Sequence, residues 1–225
     1  MQTETQSSPM DFILLPGWIH KKISVRYKSL LLAFLFVGIF DMVFYKNLLE
    51  SNFFKGSQEE LLLKSVLFII LSVVLGAIDV ICAMVPISEL AAFIGKRSEK
   101  FVGNRIYVIM MKSYAISHLI FLIPYSVYVY SGIGWENIDF SSSSQIKLIY
   151  SILTVFIIIL PFVQLGILYR TLSIRTRIER FGKLILILAT YFWMQISGGA
   201  ITYVTGLFHE IIIKIVESKA LLSFL

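Results

Sequence analysis

Asp79, Glu89, Lys112 and His118 fall well inside long apolar runs of this chain. A charged group held within a bilayer costs something like 2.5–3.5 kcal/mol on insertion scales, so each needs a reason to be there. At about 1.5 Å per helical residue, Asp79 lies roughly 22 Å from the end of its run at Ile94, and His118 lies roughly 18 Å beyond Ile106 in the next, antiparallel run. Glu89 and Lys112 both fall roughly 8–9 Å inside the same edge. Two bridging pairs are therefore expected, Asp79 with His118 and Glu89 with Lys112. Such groups suit either a proton or cation relay or the joining of two helices. The joining role is the expectation, because no third ionisable residue aligns with a pair. Asp41, near the outer end of the first apolar run, reads as a snorkelling side chain.

The elements that must carry these residues are membrane helices. The chain has 225 residues, 57% of them hydrophobic and only 15% charged, against roughly 45–50% and about 25% for a soluble domain. Lipid is thus the expected solvent, and a secreted disulfide domain, a disordered chain and a nucleic-acid-binding module are excluded. A helix needs about 20 mainly apolar residues to span the hydrocarbon. Five segments are expected to cross: 29–45, 61–94, 106–130, 148–169 and 184–206. Pro86 is expected to kink the long second one. Around Asp79 the residues Ser72, Gly76, Ala83 and Pro86 share one small, polar stripe that should face other helices.

Basic residues set the orientation. The N-terminal arm carries Lys21, Lys22, Arg26 and Lys28; the second connection and its edges carry Lys96, Arg97, Lys100, Arg105 and Lys112; the fourth carries Arg170, Arg175, Arg177, Arg180 and Lys183. The opposite side has fewer basic residues and the acidic Glu50, Glu59, Glu60, Glu136 and Asp139. By the positive-inside rule the N-terminus is cytoplasmic and the C-terminus external. Residues 1–28 then form a cytoplasmic arm whose stretch from Phe12 to Lys22 lies on the anionic leaflet, with Trp18 at headgroup level. Residues 29–206 form the membrane domain. Residues 207–225 form an amphipathic tail that either lies on the membrane or extends span five. The loop from Arg170 through Arg175, Arg177 and Arg180 to Lys183 is a candidate contact for anionic lipids or a partner, beyond its part in orientation.

Enzymatic readings are weak. Glu59-Glu60 and Tyr114-x-x-x-His118 are near-misses to intramembrane protease signatures, with the glutamates external and the histidine deep. Ser197 and His209 lie twelve residues apart on one run, roughly 18 Å, too far for a catalytic pair. His209-Glu210 lacks the second histidine of a zinc helix, and His20, His118 and His209 have no local metal-ligand spacing. The single cysteine, Cys82, reads as a buried packing residue, and Gln195 beside Ser197-Gly198-Gly199-Ala200 as a site of close helix packing. No catalytic residue, metal or cofactor is expected.

Three stretches carry a resemblance to the Yip family of five-span proteins, the Ypt/Rab-interacting type, and to its bacterial members in particular. They are Gly95-Lys96-Arg97-Ser98-Glu99-Lys100-Phe101 with the following Tyr114-Ala115; Pro124, ten residues beyond Tyr114; and the passage from Gly166 to Arg180-Phe181-Gly182-Lys183. The Asp-Leu-x-Gly-Pro motif of eukaryotic members is absent, Asp79 and Pro86 being set in a different context. For a bacterial chain the resemblance implies a non-enzymatic protein of the cell membrane, accessory to another complex. The expectation is therefore an all-α, five-span bundle, N-in and C-out. It would act as an accessory or scaffold, touching lipid, a membrane partner such as an exporter, or a second copy of itself. The rival reading is a small transporter or channel centred on Asp79 and His118.

Overall fold

In a computed structural model of the chain, the described residues are 10–44, 52–97, 105–131, 133–139 and 141–222. Parts of the sequence argument lie outside them, including Glu50 and residues 98–101 of the Gly-basic turn. The described elements are helical: α1 (Met10–Ile13), α2 (Gly17–Lys22), α3 (Leu30–Val43), α4 (Gln58–Arg97), α5 (Ile106–Ser117), α6 (Leu119–Tyr130), α7 (Ser144–Arg175) and α8 (Arg180–Leu222). Four stretches are long and apolar enough to cross a membrane: α4, α5 with α6, α7, and α8 as far as Lys214. Helix α3 has 14 residues, about 21 Å at 1.5 Å each, short of the roughly 30 Å hydrocarbon layer. Leu62, Ile70, Ile123, Ile158 and Phe192 stand exposed on the outside of the bundle, an apolar surface compatible with a lipid surrounding.

Local chemistry explains where the helices start and why they run on. Ser57 and Glu60 form a reciprocal capping box at the head of α4, the Ser57 Oγ accepting from the Glu60 N–H at 3.4 Å and Glu60 Oε2 accepting from the Ser57 N–H at 3.2 Å. Glu60 is thus a cap. Pro86 does not divide α4, which is one helix of 40 residues. A proline inside a helix frees the carbonyl four residues back, here that of Cys82. The Trp193 indole of α8 donates to that carbonyl at 2.8 Å, so the missing bond is replaced from a neighbouring helix. The Cys82 side chain itself is exposed on the bundle surface, not buried as its place in the sequence suggested. Helix α8 passes through residues 206 and 207 without a break, which makes the tail an extension of the fifth apolar run.

The tightest packing joins α3 to α4. A Cβ built on Gly38 would overlap the Ser72 carbonyl oxygen and lie 2.9 Å from the Gly76 nitrogen; one built on Gly76 would overlap the Phe34 carbonyl oxygen and lie 2.6 Å from the Gly38 nitrogen. Only glycine at both positions allows the backbones to touch in this way. Below the crossing, Val37, Val80, Met84, Met110 and Leu168 form the main core; above it, Phe40 packs with Phe121 and Leu160. The stripe of Ser72, Gly76, Asp79 and Ala83 does face inward.

Candidate functional site: an intramembrane Asp–Asp–His cluster

Asp41 and Asp79 each lie three residues beyond a glycine of the α3–α4 crossing, so the close backbone contact at Gly38 and Gly76 carries both carboxyl groups to one place. His118 comes to the same place from the junction of α5 and α6. One ligand atom from each of the three lies within 4.8 Å of the others. Asp79 and His118 are almost fully buried, at 3% and 6% exposure. The expected pairing of Asp79 with His118 thus gains a third ionisable member, Asp41, which turns inward instead of snorkelling. Its Oδ2 is buried and has no hydrogen-bond partner among the described residues.

The supports of the cluster come from a break in the third apolar stretch. At His118 the backbone N–H turns to the Ala115 carbonyl at 3.2 Å, a tighter step than the α-helix takes. The Tyr114 carbonyl is left to side chains: Ser117 Oγ donates to it at 2.6 Å, and His118 Nδ1 lies 2.9 Å away. A carbonyl can only accept, so Nδ1 carries the proton and the neutral ring presents a bare Nε2. The Tyr114 hydroxyl donates to both oxygens of Asp79, at 3.2 Å each. The rings of Phe40 and Tyr114 flank His118 edge-on at 5.2 and 4.6 Å.

Polar side chains continue from the cluster along the α5–α7 seam. Gln164 donates to Ser117 Oγ at 3.0 Å, and one turn further Ser113 meets Thr171 at 2.6 Å. Thr171 then meets His20 Nδ1 at 2.8 Å, while His20 Nε2 donates to the Leu14 carbonyl at 3.0 Å. With Nε2 protonated, Nδ1 accepts the Thr171 proton. Burial holds the His20 ring below its usual value of 6.5; the Leu14 carbonyl opposes this and Arg170 adds to it.

The N-terminal arm is strapped onto the protein. Trp18 is exposed beneath the Lys22 ammonium, but His20 is only 1% exposed. Asp11 pairs with Arg170, and Arg175 donates to the Ile23 carbonyl. Two of the five basic residues of the loop therefore face the arm, not lipid or a partner. Arg177 and Arg180 stay exposed and Lys183 is half-buried. The Glu89–Lys112 pair does not form. The Lys112 ammonium gives its three protons to the Ser24 and Arg26 carbonyls, at 2.5 and 2.8 Å, and to Ser29 Oγ at 2.6 Å. An ammonium has three donors, so none is left for Glu89, which faces the Tyr107 hydroxyl.

Asp41 was not expected as a partner of Asp79; its one signal in the sequence is the repeated spacing of Gly38 to Asp41 and Gly76 to Asp79. Gln195, expected to mark close helix packing, is exposed, as are Gly198 and Gly199, and a Cβ on either glycine meets nothing within 4 Å among the described residues. No family model, curated protein or solved structure matches this chain.

Proposed function

We propose that the chain is a small cation transporter or channel of five spans, with its N-terminus cytoplasmic and its C-terminus external. The observation that carries this reading is the convergence of Asp41, Asp79 and His118 inside the bundle. Two carboxyl groups side by side in a medium of low dielectric repel strongly when both are ionised, so they join helices only with a proton or a cation shared between them. Helix joining is ordinarily done by small residues and hydroxyl or amide side chains. The interruption of the helix at His118, and the polar seam of Ser113, Ser117, Gln164 and Thr171 leading from it toward the arm, are features that membrane ion sites share. Besides the four long apolar stretches, the first run in chain order, α3 extended by the 3-10 turn Tyr27–Ser29, would complete the five, and the positive-inside distribution of Lys and Arg supports the orientation. The resemblance to bacterial Yip proteins adds the cell membrane as the location. The full chain in proteoliposomes, tested with monovalent and divalent cations outside and an indicator inside, should pass at least one cation, with Asp79→Asn reducing the rate more than tenfold. Rates equal to those of empty liposomes for every cation would overturn the proposal.

A second reading keeps the accessory role, on one observation: the exposed face of α8 formed by Gln195, Gly198, Gly199 and Thr202. Polar and small residues turned toward lipid suit a helix of a membrane partner or of a second copy. Crosslinking in native membranes from a photoreactive residue at Gly199 should then yield one stoichiometric partner, and crosslinks to lipid alone would contradict this reading.

A further inference from the structure

We infer that Asp41, Asp79 and His118 are the protein ligands of a divalent first-row transition cation, of the class of Mn2+, Fe2+, Co2+ and Zn2+. The inference rests on the cation-handling reading above and names its substrate class.

The first argument is the donor set. Two carboxylates and one imidazole give oxygen, oxygen and nitrogen, a mixture suited to intermediate first-row cations. Mg2+ and Ca2+ favour all-oxygen shells, and Cu+ favours thiolate or thioether, which the cluster lacks. Charge makes the second argument. With a neutral imidazole the ionised cluster carries −2, which a divalent cation cancels and a monovalent one does not. The third is the state of the ligand atoms. The Tyr114 carbonyl takes the Nδ1 proton of His118 and leaves Nε2 with a free lone pair, the arrangement by which metal-binding histidines are fixed in tautomer and orientation. The Tyr114 hydroxyl donates to both oxygens of Asp79 and so fixes the orientation of that carboxyl group. Asp41 Oδ2 is buried without a partner among the described residues, a costly state for a carboxylate that a cation would relieve. Ligand atoms about 2.1 Å from an ion stand about 3.0–4.2 Å apart, so the present span of up to 4.8 Å closes by small side-chain rotations.

The test uses the untagged full chain in detergent, with Mn2+ and Co2+ as probes and Mg2+ and Ca2+ as controls. Equilibrium binding should give one Co2+ or Mn2+ per chain, undisturbed by excess Mg2+. Asp41→Asn, Asp79→Asn and His118→Gln should each weaken it at least tenfold. Pulsed electron paramagnetic resonance of the Mn2+-loaded protein should show coupling to one imidazole nitrogen, lost in His118→Gln. Tyr114→Phe, which keeps the ring and removes only the hydroxyl, should weaken binding about 10-fold or more through Asp79. His20→Gln and His209→Gln should bind as the parent does. Absence of stoichiometric binding, of the nitrogen coupling, or of any effect of Asp41→Asn would overturn the inference. Monovalent flux in the liposome assay without Mn2+ binding would sink the metal assignment alone. Stoichiometric Mn2+ binding without any flux would sink the transport reading and leave the metal site standing.

Discussion

Replacing Gly76 with alanine tests the geometry on which the cluster depends. The added methyl would overlap the Phe34 carbonyl oxygen and lie 2.6 Å from the Gly38 nitrogen. Both obstacles are backbone atoms that no rotamer change can move, and an ordinary contact needs about 3.4 Å or more, so α3 and α4 must part by ~1 Å. Overpacking of this kind costs about 1–3 kcal/mol. Asp41 and Asp79 sit three residues past the two glycines, so their separation, now within 4.8 Å, grows with the helices by the same ~1 Å. Two ligands about 2.1 Å from one ion stand no more than about 4.2 Å apart, so the variant should bind Mn2+ at least tenfold more weakly. Gly198→Ala is the control, since its Cβ would meet nothing within 4 Å, and it should change stability by no more than about 0.5 kcal/mol. Thermal unfolding in detergent and Mn2+ titration read both effects. A Gly76→Ala protein that melts and binds like its parent would refute the crossing and the placement of the cluster above it.

The strap offers a pH test. The docked His20 ring, facing Thr171, Arg170 and Asp11, is held below 6.5 mainly by burial, whereas a released arm titrates at the ordinary value. Docking is therefore complete above about 6.5 and weakens as pH falls through 6.5 toward the docked value. Hydrogen exchange of residues 10–26, corrected for intrinsic rate, should rise from pH 8 to pH 5; equal protection would contradict the buried ring. Lys112→Met removes the donor to the Ser24 and Arg26 carbonyls and to Ser29, bonds worth about 1.5–3 kcal/mol when one partner is charged. Trypsin should then cut faster after Arg26, and unchanged cleavage would show that the strap does not depend on Lys112. For the orientation, single cysteines in a Cys82→Ser background should react with an impermeant maleimide from outside at Ser144→Cys and Lys214→Cys. Glu179→Cys should react only after permeabilisation, and the inverse pattern would reverse the topology.

The helical stretches were legible because twenty-residue apolar runs leave few alternatives in lipid. The pairing of Asp79 with His118 followed from depth alone, since both are carried by adjacent antiparallel runs. Depth failed for Glu89 and Lys112 because it says nothing of azimuth: Lys112 turns toward the arm, where three oxygens await it. The unbroken passage of α4 through Pro86 was not legible, because the donor that takes up the freed Cys82 carbonyl, Trp193, lies 107 residues beyond Pro86 in the sequence. The same is true of the cluster as a ligand set. Asp41, Asp79 and His118 come from three separate runs, and only the shared Gly-to-Asp spacing of the first two hints that they meet. The break at His118 lay hidden for a different reason, in that Ser117 and His118 compete for the Tyr114 carbonyl by side-chain hydrogen bonds that apolar periodicity does not register.

The most direct measurement is Mn2+ entry into proteoliposomes containing the full chain, compared with the same preparation carrying Asp79→Asn. The account predicts entry well above that of protein-free liposomes and a loss of more than tenfold in the variant. Entry at the protein-free rate, or equal rates for parent and variant, would contradict a cation path through Asp41, Asp79 and His118.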